Sequence, residues 1–301
     1  MSRTLRIGSR GSQLALWQAN HIAAALRALG HTVDIQIIKT TGDRLQDPAF
    51  LAAATAQGIE DGKGIFIKEI EEALADGTID LAVHSLKDLP TELALQFVIA
   101  AIPPRVDPRD VLVAPAGATL EQLAASPRIG TTSPRRQSQL LALRGDLQFI
   151  EMRGNVDTRL RKLSEGQAEA LMLAAAGLDR LGLTQHITQR FAVTEICPAP
   201  GQGALAIECR AADAVTKIVL AQLDDEATRY AVTAERAGLG ALGGGCSVPI
   251  GIFCERADNG YTLHGASSTG SGLVRREIFV ADGTAPEDAG RQIAAALTAG
   301  A

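Results

Sequence analysis

The sequence predicts an α/β protein made of two similar open-sheet halves, followed by a small α+β domain with a three-stranded antiparallel sheet. Three observations lead there. Short apolar runs alternate with helix-spaced segments in two successive rounds, through about residues 4–102 and 111–197. Two crossings rich in Pro or Gly, Pro103-Pro-Arg-Val-Asp-Pro108 and Pro198-Ala-Pro-Gly-Gln-Gly203, interrupt the alternation. From about Asp225 the pattern changes to one long helix, three strand-like runs and a closing amphipathic helix. The first crossing is an expected domain boundary, and another falls near Asp225.

The first strand, 4–8, enters a turn that carries Arg10 and Ser12. Ser12 is a natural N-cap for a helix in which Leu14, Trp17, Ala25 and Leu29 recur at helical spacing until Gly30 stops it. Strand-to-helix turns of open α/β sheets offer free N–H groups to anions, and a capping serine beside a solvated arginine is the equal alternative. A strand at 32–38 precedes a loop, an Ala- and Gly-rich connection, and a helix over 63–74 with Phe66, Ile70 and Leu74 on one face. The strand at 79–85 breaks at Leu86-Lys-Asp-Leu-Pro90, where Pro90 keeps Leu89 out of the helical region. Lys87 and Asp88 are thereby displayed at the carboxyl end of a buried strand. Asp88 reads equally as a turn former and as a catalytic carboxylate. A further strand covers 96–102.

The second round opens at 111–113. Arg128-Ile-Gly leads into Thr131-Thr-Ser-Pro-Arg-Arg-Gln137, in which Ser133 caps, Pro134 suits the first helical position, and Arg135 and Arg136 fall in the first turn. Cations there oppose the helix dipole at a cost of a few tenths of a kcal/mol each when exposed, roughly, so stability does not select them. With the free N–H groups they make an anion clamp. Strand 147–151 is followed by a turn with Arg153 and a helix with Arg159, and strand 170–173 by a helix with Arg180. After the second crossing, 204–209 is a strand that buries Cys209. The C-terminal elements are a helix at 226–242, strands near 250–254, 261–266 and 273–280 with an Asn259-Gly260 hairpin turn, and a helix at 285–297.

Composition narrows the function. The chain has 301 residues and a net charge of −5, which disfavours a nucleic-acid binder, as do aromatics at only 3%. Between Arg128 and Lys162, seven Arg and one Lys face three acids, a local balance of +5 that leaves −10 for the rest. A basic, Arg-dominated island in an acidic protein points to a bounded carboxylate or phosphate ligand. A non-catalytic module closing on a small organic anion is the competing class. No apolar stretch is long enough to span a bilayer and the N-terminus shows no signal peptide, so the expected compartment is the cytoplasm, without membrane partners. Four irregularly spaced cysteines and scattered histidines argue against a metal site and against a disulfide framework. Cys246 stands apart, after Gly243-Gly-Gly and before Pro249. The glycines free the backbone and allow close approach. By itself the stretch leaves open an unreactive cysteine beside a turn and a functional thiol on a loop.

These residues together resemble the porphobilinogen deaminase family, also called hydroxymethylbilane synthase. The resemblance is carried by Arg10 to Gln18, Gly62 to Leu74, Val83 to Pro90, Asp107 to Asp110, Thr131 to Gln137, Arg153 to Leu160, Ala176 to Leu183, Gly201 to Arg210, Ala234 to Ala237 and Gly244 to Gly251. It implies two doubly wound α/β domains like those of periplasmic binding proteins, 1–103 with 204–221 and 109–197, with strand 204–209 returning to the first, and a third domain, 226–301, bearing the cysteine. It implies head-to-tail condensation of four porphobilinogen molecules, with loss of ammonia, onto a dipyrromethane cofactor held by a thioether to Cys246. It further implies Asp88 as the catalytic carboxylate and Lys87, Ser12, Thr131, Ser133, Arg135, Arg136 and Arg159 as cofactor-binding residues. Arg10, Arg153, Arg180, Lys63 and Phe66 are implied to bind substrate, and the protein to be a monomer. The chain departs from the family pattern between Asp47 and Lys63, where an Ala-rich insertion runs from Phe50 to Ile59.

Overall fold

The computed structural model describes residues 3–41, 67–244, 248–268 and 272–299. Lys63, Phe66, Cys246 and the insertion from Phe50 to Ile59 lie outside the described residues. The chain divides into two compact units, 1–104 with 205–225 and 105–204 with 226–301.

In the first unit, β1 (Leu5–Ser9), β2 (Val33–Ile37), β3 (Leu81–Ser85), β4 (Phe97–Ala101) and β10 (Leu205–Arg210) form one sheet in the order β2-β1-β3-β10-β4. β1 runs parallel to both β2 and β3, and β10 runs antiparallel between β3 and β4. Both faces are covered, as a parallel sheet requires. Helix α1 (Gln13–Ala28) closes one apolar core with Leu5, Ile7, Val83 and Ile207, and α2 (Lys68–Ala75) closes another with Ile79, Ala82 and Phe97. Ser12 caps α1 as expected, accepting from Ala15 N–H at 3.3 Å. The buried face of α1 differs from the expected one. Ala19, Ile22, Ala23 and Leu26 face the sheet, while Leu29 is 43% exposed. Small alanines let the helix settle close to the strands, and that geometry outweighs the larger apolar side chains that merely share helical spacing. α2 buries Ile70 and Leu74 as the spacing predicts.

The second unit repeats the plan. β5 (Asp110–Val113), β6 (Arg128–Gly130), β7 (Gln148–Ile150), β8 (Ala170–Ala174) and β9 (Gln189–Arg190) lie in the order β7-β6-β8-β5-β9. Again two parallel pairings flank β6, and an antiparallel strand, β5, occupies the fourth place. In each sheet that strand arrives directly from a Pro- or Gly-bearing crossing. Helices α3 (Pro134–Leu143), α4 (Val156–Ser164) and α5 (Ala175–Arg180) follow β6, β7 and β8. In the first unit, α6 (Ala214–Leu220), which periodicity did not reveal, is capped by Asp213.

Residues 109–197 and 226–301, expected as separate domains, lie in one unit but keep separate sheets. Helices α7 (Glu226–Ala241) and α8 (Pro286–Thr298) pack on the three-stranded antiparallel sheet β11 (Ile250–Ala257), β12 (Gly260–Ser268) and β13 (Leu273–Ala281). The β11–β12 hairpin is offset by one residue from the expected turn. Ala257 pairs with Gly260, so the two loop residues are Asp258 and Asn259. Gly260 is needed for space instead, because a Cβ there would lie 2.0 Å from Val280 O. Fully buried Glu235 of α7 ties this part to both crossings: it pairs with Arg105 at 2.6 Å and accepts from the N–H groups of Gly201 and Cys254 at 2.7 and 2.9 Å. No helix among the described residues is long and apolar enough to cross a membrane.

Candidate active site

In the first unit the chemistry gathers at the carboxyl ends of parallel β1 and β3, paired with Gly8 opposite Ala82, β3 running on to Ser85. β1 feeds the turn with Arg10 and Ser12. β3 feeds a short 3-10 turn over Leu86–Asp88, and Leu89 beyond it is extended, as Pro90 demands. Lys87 and Arg10 are half-buried, and Asp88 is exposed. The two turns are joined by Gln18 of α1, whose Nε2 donates to Ser85 Oγ at 2.8 Å. Behind them His84 meets buried Glu208 of β10 at 2.9 Å, an ionisable pair inside otherwise apolar strands.

In the second unit β6 ends opposite both β7 and β8, which brings the turns after these three strands to one edge. The turn after β6 carries Thr131 and Ser133. Ser133 caps α3 by accepting from Arg136 N–H, and Thr131 Oγ1 accepts from Ser133 N–H at 3.2 Å. Each hydroxyl keeps its own proton to donate. Arg135 and Arg136 sit in the first turn of α3, yet both are buried. Asp110 of β5, fully buried, receives Arg135 Nη1 at 2.6 Å and Arg136 Nε and Nη2 at 2.9 and 2.7 Å. Arg136 Nη1 also donates to Met172 O at 3.0 Å. Burial pushes the Asp110 carboxyl up, but the two guanidiniums outweigh it and hold the group far below the usual carboxylate range. Burial pushes Arg136 down, against the attraction of Asp110. Two cations on one anion leave a surplus positive charge in a dry site. A second anion is the partner such a site favours.

The next turn places Arg153 at the surface, 3.5 Å from Glu151. Arg159 is half-buried on α4, its Nε donating to Gly154 O at 2.8 Å. Arg180 stands apart from these turns, at the far end of α5. It is buried, donates to Gly203 O of the second crossing at 2.7 Å, and burial pushes its pKa down to about 10. Thr131, Ser133, Arg135 and Arg136 thus form one cluster, and Arg153 and Arg159 occupy the neighbouring turn.

Sequence reasoning did not identify Asp110 as the partner of both arginines. Its signal is faint, a lone acid heading the strand Asp110-Val-Leu-Val. Of the cysteines, Cys197, Cys209 and Cys254 are buried, and burial pushes the thiols of Cys197 and Cys209 up to about 12 and about 11 and that of Cys254 higher still. These three are poor nucleophiles.

Comparison with known proteins shows the family. Two family descriptions match, "Porphobilinogen deaminase, dipyromethane cofactor binding domain" over residues 5–218 and "Porphobilinogen deaminase, C-terminal domain" over residues 229–299. Similar curated proteins include the porphobilinogen deaminase of Brevibacillus brevis, 46% identical over 98% of this chain and 94% of the relative. That of Syntrophotalea carbinolica is 45% identical over 99% of this chain and 93% of the relative. Among solved structures, a periplasmic substrate-binding protein of an ABC transporter from Coxiella burnetii is similar at a TM-score of 0.44 and 16% identity, covering 75% of this chain and 94% of that one. On these matches, spanning nearly its whole length, the chain belongs to the porphobilinogen deaminase family.

Proposed function

We infer that this chain is a transferase of tetrapyrrole synthesis, a hydroxymethylbilane synthase that condenses four porphobilinogen molecules head to tail onto a dipyrromethane cofactor, releasing ammonia and then the linear tetrapyrrole. The observation that carries the reading is the buried Arg135–Arg136–Asp110 cluster with its surplus positive charge, in a chain of this family. Porphobilinogen and its oligomers bear acetate and propionate side chains, so the growing chain is a polyanion.

The donor set fits a dipyrromethane. Among the described residues, Arg135 makes its side-chain hydrogen bonds to Asp110 and Cys197 through Nη1, and its Nε–Nη2 edge has the geometry to match a carboxylate bidentately. Thr131 and Ser133 add hydroxyl donors beside it. Arg136, Arg159, Lys87 and Ser12 complete the proposed cofactor set, with Cys246 as the thioether anchor. The burial of the other three thiols supports that choice. Arg10, Arg153, Arg180, Lys63 and Phe66 are proposed for substrate. When bound, the cofactor supplies the free pyrrole α-carbon to which the first substrate is joined.

Asp88 is proposed as the catalytic carboxylate. As the amino group of the substrate's aminomethyl arm departs as ammonia, the pyrrole that keeps the methylene becomes cationic, and the Asp88 carboxylate accepts a hydrogen bond from its N–H and stabilises that charge. Once the new C–C bond has formed, the attacking pyrrole must lose its α-proton to regain aromaticity. Asp88 takes it and, in the next turnover, gives it to the amino group that leaves as ammonia, so the carboxylate is restored without net proton gain. Exposure at the end of β3 supports both roles. We further propose a monomer acting in the cytoplasm, for which the family resemblance is the support.

Intact mass measured under denaturing conditions tests the reading. The purified chain is expected to carry the added mass of two linked pyrroles, absent from Cys246→Ser, and to release ammonia from porphobilinogen. An active wild-type chain without that mass would remove the cysteine assignment.

A further inference from the structure

One turn beyond Arg135 on α3, Gln139 is 1% exposed, and its amide grips the backbone of Cys197 from both sides. Cys197 N–H donates to Gln139 Oε1 at 2.7 Å, and Gln139 Nε2 donates to Cys197 O at 3.0 Å. The same carbonyl accepts Nη1 of Arg135 at 2.7 Å, so both of its lone pairs are used. From the opposite side the C-terminal sheet closes on this peptide. Ile252 N–H donates to Pro198 O at 3.1 Å, and the Cys197 thiol donates to His264 O at 3.4 Å. At Gly251 a Cβ would lie 2.5 Å from Cys197 O, so the two backbones are in direct contact. Cys197 therefore joins the arginine helix to β11, the strand that follows the cysteine loop.

Glutamine suits this joint because its planar end carries one acceptor and one donor, the complement of a peptide unit. A side chain that only filled space could not orient the carbonyl. The peptide that Arg135 meets would then be held from the side of the C-terminal sheet without its clamp on α3. We propose that Gln139 is a positioning residue for the condensation: by pinning the Cys197 peptide it fixes the open edge of Arg135 relative to β11. The inference rests on the proposed function and adds a residue that touches neither substrate nor cofactor.

The test compares wild type, Gln139→Leu, Gln139→Glu, Arg135→Lys and the Leu/Lys double variant. It measures porphobilinogen kinetics, intact mass, and hydrogen exchange at the Cys197 amide. Gln139→Leu removes both bonds and is expected to raise KM about tenfold with kcat within about twofold, and to cut protection of the Cys197 amide about tenfold. Because the two side chains share one carbonyl, the double variant should have a KM within about twofold of Arg135→Lys alone. An unchanged KM in folded Gln139→Leu, additive effects in the double variant, or losses that merely follow thermal unfolding would overturn the proposal. If Gln139→Leu does not fold, Gln139→Glu decides. It keeps the bond from Cys197 N–H but sets a carboxylate against the carbonyl, so a raised KM with the amide still protected supports the inference and an unchanged KM defeats it. A wild-type chain that neither carries the dipyrrole mass nor releases ammonia from porphobilinogen overturns the functional reading and this inference with it, whereas a normal wild type beside an unaffected Gln139→Leu overturns the inference alone.

Discussion

Asp88 and Asp110 show how one residue type serves opposite ends when its surroundings differ. Asp88 ends a 3-10 turn in solvent, where its removal disturbs no packing. Asp88→Ala is expected to lower turnover by more than about 100-fold, while stability stays within about 0.5 kcal/mol of wild type. Near-normal activity in a folded Asp88→Ala protein would refute its proposed role. Asp110 is inside the molecule between two guanidiniums. Asp110→Ala strands two buried cations and is expected to cost about 3–5 kcal/mol, read from the denaturant midpoint. Asp88 was legible because Pro90 and the strand before it fix its place at a sheet edge. Asp110 was not, since its partners lie 25 and 26 positions away and only the pairing of β5 with β8 brings them together.

Elements with strong local signals formed where the sequence placed them. Ser12 and Ser133 cap their helices, and Pro134 occupies the first turn of α3. Elements whose details depend on neighbours shifted. The turn predicted at Asn259-Gly260 moved by one residue because Gly260 has to clear Val280 O on the adjoining strand. Gly260→Ala should therefore destabilise by about 1–3 kcal/mol through overpacking. Asn259→Ala, on the exposed loop, should change stability by less than about 0.5 kcal/mol. Equal effects of the two in urea titrations would contradict the register. The same logic explains α1, where Ala19 and Ala23 face the sheet. Spacing names several possible faces, and only the approach distance to the strands selects among them.

For the whole molecule the acid limb of stability follows from buried and half-buried carboxylates paired with arginines. Asp80, Asp107 and Asp110 all titrate lower in the fold than the unfolded value of about 3.9, since nearby arginines outweigh burial. Their contribution is complete above that value and is lost as pH falls through the folded values. Glu71 has the opposite sign. Burial, reinforced by Glu208, raises its pKa, so acidification relieves a cost there. The lowered acids outnumber it. Stability should stay level from neutral to about pH 5 and fall below about pH 4. The fall should be shallower in Asp110→Asn, and an unchanged slope would show that Asp110 is not a principal acid-sensitive group.

What the sequence by itself determined is the alternation of strands and helices, the two crossings, the turns that carry Arg10, Asp88, Arg135 and Arg153, and the family. These depend on local signals, such as caps, prolines and apolar periodicity, or on motif identity, all of which survive without coordinates. What only the tertiary structure decided is which buried polar groups meet. Asp110 with Arg135 and Arg136, His84 with Glu208, Glu235 with Arg105, and Gln139 on Cys197 each join residues separated by 25 to 130 positions. A buried polar group must find its partner in space, and no local pattern records where the fold will deliver it.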